Sequence, residues 1–241
     1  MPTSFSYYVE SFDVQPNNNV RLSTLFRLYQ KAAGDDLAKL GMTYDVLREH
    51  GIAFILSKTV VRFLEDVHGD DNVTVTTYPR DPKGVAFNRD YCITVDGRHL
   101  IDASSVWVLT DVKEHKLLRP SALDAVGTIL YDHDDLLSLP DCRLRLDASS
   151  LQRTDVRKVY YSTIDRNRHM NNTFYPDMVY DYLPDELRKT YKGKTFSIQY
   201  MSETREQESI EIFTGLDEHQ FRLLAKHTAT GKDVFAATLD F

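Results

Sequence analysis

Asp165-Arg166-Asn167-Arg168-His169-Met170-Asn171-Asn172, running on into Thr173-Phe174-Tyr175-Pro176-Asp177-Met178-Val179-Tyr180, is where the fold and the chemistry of this chain meet. A carboxylate (Asp165), an amide (Asn167) and an imidazole (His169) stand at alternate positions, and on an extended chain alternate side chains leave from one face. The next residues predict a helix start. Asn172 or Thr173 can cap it, and Pro176 is tolerated in a first turn, where no amide proton is needed. The free backbone N–H groups of such a start, at Asn171, Asn172 and Thr173, favour an oxyanion.

The stretch has an echo near the N-terminus. Asp13-Val14-Gln15-Pro16-Asn17-Asn18-Asn19 lies over Asp165–Asn171, setting Asn17 against His169 and Gln15 against Asn167. Thr59-Val60-Val61-Arg62-Phe63 likewise lies over Phe196-Ser197-Ile198-Gln199-Tyr200. The flanking patterns agree with a duplication. A strand at 7–14 precedes a helix in which Leu22, Leu25, Phe26, Leu28, Tyr29, Ala32, Ala33, Leu37 and Leu40 recur at helical spacing, with Ser23 as its cap and Gly41 as its stop. A short helix from Thr43 to Gly51 comes next, then strands at 53–64, 73–78, 85–95 and 100–110. Turn signals separate these strands, and Asp96-Gly97 suits a two-residue hairpin. The second half is expected to run through a strand at 159–164, a helix at 173–182, a short helix from Leu183, and strands at 196–201, 208–214, 221–228 and 234–239. One helix packed on a curved antiparallel sheet buries both apolar faces, so the fold class is α+β with two copies of one unit. The expected divisions are 1–125, a linker wrapping the surface at 126–150, and 151–241. The first copy has no histidine to match His169, so any imidazole chemistry belongs to the second.

Composition narrows the function. The 241 residues are 42% hydrophobic and 27% charged, as in an ordinary globular protein, and the net charge of −7 argues against nucleic-acid binding. No apolar run is long enough for a membrane span, and Met1–Tyr8 lacks the pattern of a secretory leader. Cys92 and Cys142 form neither a metal-spaced pair nor a disulfide framework, so the cytoplasm is the expected location. Glycine-rich nucleotide loops, the G-x-S-x-G elbow, H-E-x-x-H and C-x-x-C are absent, and neither a cofactor nor a metal is expected.

The remaining candidates are Asp165, Asn167 and His169 with a carboxylate from elsewhere. Glu203, in Gln199-Tyr200-Met201-Ser202-Glu203-Thr204, ends the strand expected beside the motif. Each has a plainer role to set against this one. A lone histidine is usually structural and a lone glutamate usually lies on the surface; Asp165 could be a turn residue, and Asn171 and Asn172 only caps. Their combination is what points to a site.

Asp165-x-Asn167-x-His169-Met170-Asn171-Asn172 resembles the catalytic signature of the acyl-ACP thioesterases, and Tyr200-Met201-Ser202-Glu203-Thr204 resembles their second signature. Arg21–Phe26 and Ile52–Val61 are similar to that family's N-terminal half, so the resemblance runs from about Ser6 to the C-terminus. It implies a tandem hotdog, each half a long helix wrapped by a curved antiparallel sheet, with the acyl pocket in the first half and catalysis in the second. It also implies hydrolysis of fatty acyl-acyl carrier protein to free fatty acid, carried by Asp165, Asn167, His169 and Glu203, with Glu203 as base or as nucleophile. Thr204 stands where plant members often carry cysteine, which disfavours a thiol nucleophile. The acidic carrier protein is the implied partner, and Arg166, Arg168, Arg188, Lys189, Lys192 and Lys194 form a basic excess suited to docking it. A homodimer is left open. The rival expectations are an acyl-CoA thioesterase and a silent acyl- or partner-binding hotdog module.

Overall fold

The structure, a computed structural model, describes residues 2–132, 137, 139, 140, 142–190 and 194–241, with residues 189 and 190 described by backbone alone. The first half runs β1 (Thr3–Tyr8), a 3-10 turn (Ser11–Asp13), α1 (Leu22–Lys39), α2 (Tyr44–Glu49), β2 (Ile52–Phe63), β3 (Asn72–Pro79), β4 (Ala86–Val95), β5 (Arg98–Asp111) and the short β6 (Leu117–Leu118). The second runs β7 (Gln152–Lys158), a 3-10 turn (Tyr161–Thr163), α3 (Phe174–Asp181), α4 (Asp185–Thr190), β8 (Thr195–Tyr200), β9 (Ser209–Leu216), β10 (Gln220–His227) and β11 (Asp233–Asp240).

All the strands join one antiparallel sheet in the order β1-β3-β4-β5-β2-β8-β11-β10-β9-β7, with β6 added beside β5. Read from either end, the two halves have the same strand order, and they meet where β2 pairs with β8 (Lys58 opposite Gln199, Arg62 opposite Thr195). This is the tandem α+β unit that the sequence predicts. The helices cover one face. Phe26 of α1 meets Phe196 of β8 edge-on at 6.0 Å, Tyr29 meets Tyr91 at 4.7 Å, and Tyr175 of α3 meets Phe235 of β11 at 5.0 Å.

Local chemistry sets the element ends. Gly41 and Gly51 take positive φ (77° and 71°) just past α1 and α2, and the Thr43 hydroxyl accepts from Val46 N at 3.3 Å to cap α2. Asp96 and Gly97 both have positive φ, which matches the twist of the β4–β5 hairpin. Ser23 is not the cap of α1. It lies inside the helix, and its N–H donates to Asp177 Oδ1 at 3.0 Å, so the second half supplies the cap. The strand expected at 7–14 ends at Tyr8, because Asp13 turns inward and accepts from Glu10 N (3.1 Å) and Tyr7 Oη (2.7 Å). The one expected at 159–164 is a 3-10 turn instead.

The register of the echo also needs correcting. Val14 bridges Val20 as Ile164 bridges Met170, and Asn18 and Arg168 share the left-handed conformation (φ 67° and 66°). The true counterparts are therefore Gln15 with Asp165, Asn17 with Asn167 and Asn19 with His169. Asp13, a buried turn residue, corresponds to Thr163, and neither has a part in the polar triplet. The Phe63–Tyr200 alignment stands. Leu64 N and Glu65 N both donate to Leu100 O, as Met201 N and Ser202 N do to Val234 O, so Asp66 is the counterpart of Glu203.

The halves differ in their helices: α1 has 18 residues and α3 only 8, against the expectation of two long helices. Counted on from the matched loops, Gly34 in α1 corresponds to Pro184. Proline cannot donate and bars the preceding residue from helical conformation, so α3 stops before it while α1 runs on. The connecting segment is not only a surface wrap. Leu123 and Ile129 are buried with Met42, Leu47, Phe87 and Leu109 in a second apolar cluster, which buries side chains that would otherwise face water. Part of the acidic stretch 131–135 lies outside the described residues. Among the described residues, no helix is long and apolar enough to cross a membrane.

Candidate active site

The motif is not an extended strand. Asp165 O accepts from Arg168 N (2.9 Å) and Asp165 N donates to His169 O (3.0 Å), which folds Asp165–His169 into a tight hairpin closed by the Ile164–Met170 bridge. The Asp165 carboxylate tightens this turn by accepting from Asn167 N at 2.7 Å. Even so, Asp165, Asn167 and His169 all edge a single cavity of about 730 Å³, and Glu203 lines it beside His169. His169 Nε2 lies 3.7 Å from Glu203 Oε2, with both side chains part-exposed, and Arg205 Nη2 holds Glu203 Oε1 at 2.9 Å. The sequence pattern thus brings all four candidate residues together.

The backbone around Glu203 is anchored. Thr204 O accepts from Met170 N (2.8 Å), and His227 Nε2 lies 2.9 Å from Glu203 O. Thr204 is fully buried, its hydroxyl is 2.8 Å from Tyr175 Oη, and it does not line the cavity. Burial pushes the Tyr175 phenol up to about 12, so this pair stays neutral and hydrogen-bonded.

The helix start is narrower than expected. Asn171 N donates to Thr163 O (2.9 Å), and Thr173 N to Asn171 Oδ1 (2.9 Å), so two of the three N–H groups are taken, and Thr173 stands at the cap position of α3 with no side-chain capping bond. Asn172 N has no partner among the described residues. Its peptide is held by Tyr200 Oη, which donates to Asn172 O at 2.9 Å, and Gln30 Nε2 of α1 donates to Asn172 Oδ1. Tyr200 is itself shielded, and burial raises its phenol pKa well above the ordinary value. The rest of the cavity is built largely by the first half, with Leu37, Met42, Leu47, Phe54, Phe87 and Ile129 in its wall.

Of the proposed docking residues, Arg166 and Arg168 lie on the hairpin itself. Arg166 pairs with Asp45 at 2.7 Å and lies 3.7 Å from the centre of the Tyr44 ring. Arg188 instead pairs with Asp185 and edges the corresponding void of the first half. Lys194 is near it, since its carbonyl accepts from Phe63 N. The ends of β2 and β8 lie on opposite sides of the junction, about 20 Å apart at roughly 3.3 Å per residue, so the four described residues, Arg166, Arg168, Arg188 and Lys194, do not surround one opening. Lys192 and the Lys189 side chain fall outside the described residues. Arg48 and Arg205 do line the cavity. Sequence reasoning missed Gln30, Tyr44 and Arg205. Arg205 was discoverable as the cation two residues after Glu203, whereas the others reach the site only through the packing of the halves.

Two family models match the chain: the N-terminal domain of acyl-ACP thioesterases over residues 3–121 and their C-terminal domain over 146–240. A chloroplastic acyl-(acyl-carrier-protein) hydrolase of Cuphea viscosissima is 22% identical over 233 residues, covering 88% of this chain and 54% of that protein. A chloroplastic oleoyl-acyl carrier protein thioesterase of Arabidopsis thaliana is 22% identical over 256 residues, covering 95% and 68%. The chain thus spans about half the length of the Cuphea relative. Among solved structures, an acyl-ACP thioesterase from Bacteroides thetaiotaomicron superposes with a TM-score of 0.89 at 20% identity, covering 100% of this chain and 97% of that one. A 12:0-ACP thioesterase from Umbellularia californica gives 0.81 at 16% identity, covering 99% and 96%.

Proposed function

Because the chain belongs to the acyl-ACP thioesterase family, we propose that it hydrolyses the thioester of a fatty acyl chain carried by acyl carrier protein and releases the free fatty acid. The observation that carries this is the His169–Glu203 pair, 3.7 Å apart, at the edge of a cavity of about 730 Å³ with a largely apolar far wall. That volume is typical of a site for one small-molecule group. The first half would hold the acyl chain and the second would carry the chemistry.

In the proposed reaction the thioester carbonyl points its oxygen at Asn172 N–H, which stabilises the developing oxyanion. A water held beside the His169–Glu203 pair loses its proton to it as the water oxygen attacks the carbonyl carbon. The C–S bond then breaks and the thiol leaves with a proton returned from the same pair. Asp165 and Asn167 keep the hairpin in register for His169. Thr204, buried and paired with Tyr175, takes no part as a nucleophile. Arg166 and Arg168, joined by Arg48 and Arg205, supply the positive charge that would attract an acidic carrier. The free thiols of Cys92 and Cys142 suit a reducing cytoplasm, which we include in the proposal.

The deciding experiment is hydrolysis of a chain-length ladder of acyl-ACP, with the same acyl groups on coenzyme A in parallel. The proposal expects a higher kcat/KM on the carrier protein, reduced by salt and by charge reversal at Arg166 and Arg168. Equal or better use of acyl-CoA would move the substrate to the nucleotide thioester. Silence on both carriers would leave a binding module.

A further inference from the structure

We infer that Tyr44, in the first half, is a positioning residue for the reaction carried out by the second half, acting through Asn167. The inference rests on the proposed role of Asn167 in thioester cleavage. Tyr44 is the first residue of α2. That helix is fixed at its start by the Thr43 cap and on its inner side by Leu47, which is buried in the second apolar cluster. Its outer side grips the catalytic hairpin at two adjacent residues. Tyr44 Oη donates to Asn167 Oδ1 at 2.6 Å, while Arg166 lies over the Tyr44 ring and bonds Asp45.

Asn167 is exposed at the tip of a turn, and a side-chain amide there has little else to hold it. Its Nδ2 lies only within 3.5 Å of Asp165 Oδ2, a weak contact. With Oδ1 fixed by Tyr44, the amide cannot turn over without losing its one short hydrogen bond. The first half shows what the same asparagine does without such a donor. Asn17, its counterpart, turns its Oδ1 back to accept from Asn19 N at 3.1 Å. Asn19 is the counterpart of His169. Without the Tyr44 hydroxyl, Asn167 is free to fold back on the His169 backbone in the same way and to disturb the residue it should support.

The test compares wild type, Tyr44→Phe, Asn167→Ala and the double variant on acyl-ACP. The phenylalanine keeps the ring that Arg166 covers and removes only the hydroxyl. Expected for Tyr44→Phe is a fall in kcat of roughly tenfold or more, as small misplacements near reacting groups produce, with KM within about twofold. A tyrosine that only supports the fold would lower the melting temperature and leave kcat per folded molecule unchanged. If Tyr44 acts through Asn167, the double variant is no slower than Asn167→Ala alone. Tyr44→Phe at the wild-type kcat, beside a crippled Asn167→Ala, overturns the inference and spares the proposed function, as do losses that multiply in the double variant. An Asn167→Ala enzyme at full rate, or a wild type with no turnover, removes the premise instead.

Discussion

In the second half, Asp165, Asn167, His169 and Glu203 edge a cavity of about 730 Å³; the corresponding first-half residues, Gln15, Asn17, Asn19 and Asp66, surround or adjoin a void of about 20 Å³. The loops have the same bridge, the same left-handed residue and the same backbone bond to the strand end (Val20 N to Val67 O, Met170 N to Thr204 O). What differs is the side chain each half sends across the junction. Gln30 of α1 reaches the second-half loop and leaves the cavity open, whereas Tyr180, its counterpart in α3, edges the small void and hydrogen-bonds Gln15. Burial holds that phenol's pKa well above the ordinary value, so it is a neutral plug. A retained carboxylate does not make a site when the imidazole and the space beside it are gone.

The sharpest way to break this comparison is to remove the acid from each loop. Glu203→Ala and His169→Ala should each lower kcat/KM on acyl-ACP by roughly 10²-fold or more, the lower range for losing a positioned acid–base group. Asp66→Ala should leave it within about twofold. If Asp66→Ala costs as much as Glu203→Ala, the small void belongs to the reaction and the assignment of chemistry to one half is wrong. Activity within threefold of wild type in Glu203→Ala would remove Glu203 from the mechanism.

A smaller effect is expected behind the loops. Thr204 and Tyr175 form a buried polar pair where the first half has Val67 and Leu25, also buried. Thr204→Val copies the first half at one position and takes from the Tyr175 hydroxyl its side-chain partner. The cost should be about 1–3 kcal/mol, seen as a loss of several degrees in Tm. Adding Tyr175→Phe removes the Tyr175 hydroxyl and should restore most of that stability, while kcat for Thr204→Val alone stays within about threefold. A large fall in kcat with Tm unchanged would show that the Thr204 hydroxyl takes part in the chemistry.

The fold was legible because its signals are local. The α1 periodicity, the glycines after α1 and α2, and the Asp96-Gly97 turn each specify backbone within a few residues, and the second copy repeats the pattern. The loop register was misread because identity alone sets Asp13 against Asp165, whereas Asp13 is a buried turn residue bonded to Tyr7 and Thr24. Glu203 could be found because a strand end beside a motif follows from strand order. Tyr44 and Gln30 could not, since their contacts exist only once β2 pairs with β8 and brings the two copies' loops against each other's helices. The division of the docking cations between two ends of the sheet was hidden for the same reason. Charge counted along the chain says nothing about which side of the junction it reaches.

The mildest test concerns the helix that makes the halves unequal. Gly34 sits in the part of α1 that α3 lacks, and it edges the large cavity. A Cβ built there meets nothing within 4 Å, so alanine adds no clash, and it removes the entropic penalty of a glycine inside a helix. Gly34→Ala should therefore stabilise the protein by about 0.5–1 kcal/mol, raising Tm by a few degrees, with turnover little changed. Gly34→Leu projects a longer side chain from the same wall and should reduce use of the longest acyl chains before that of shorter ones. If both variants leave the chain-length profile as it was, the acyl chain does not run beneath this end of α1. The added length of α1 would then be a matter of stability alone. A profile that shortens with leucine and not with alanine would tie the Gly34/Pro184 difference to which half holds the acyl chain.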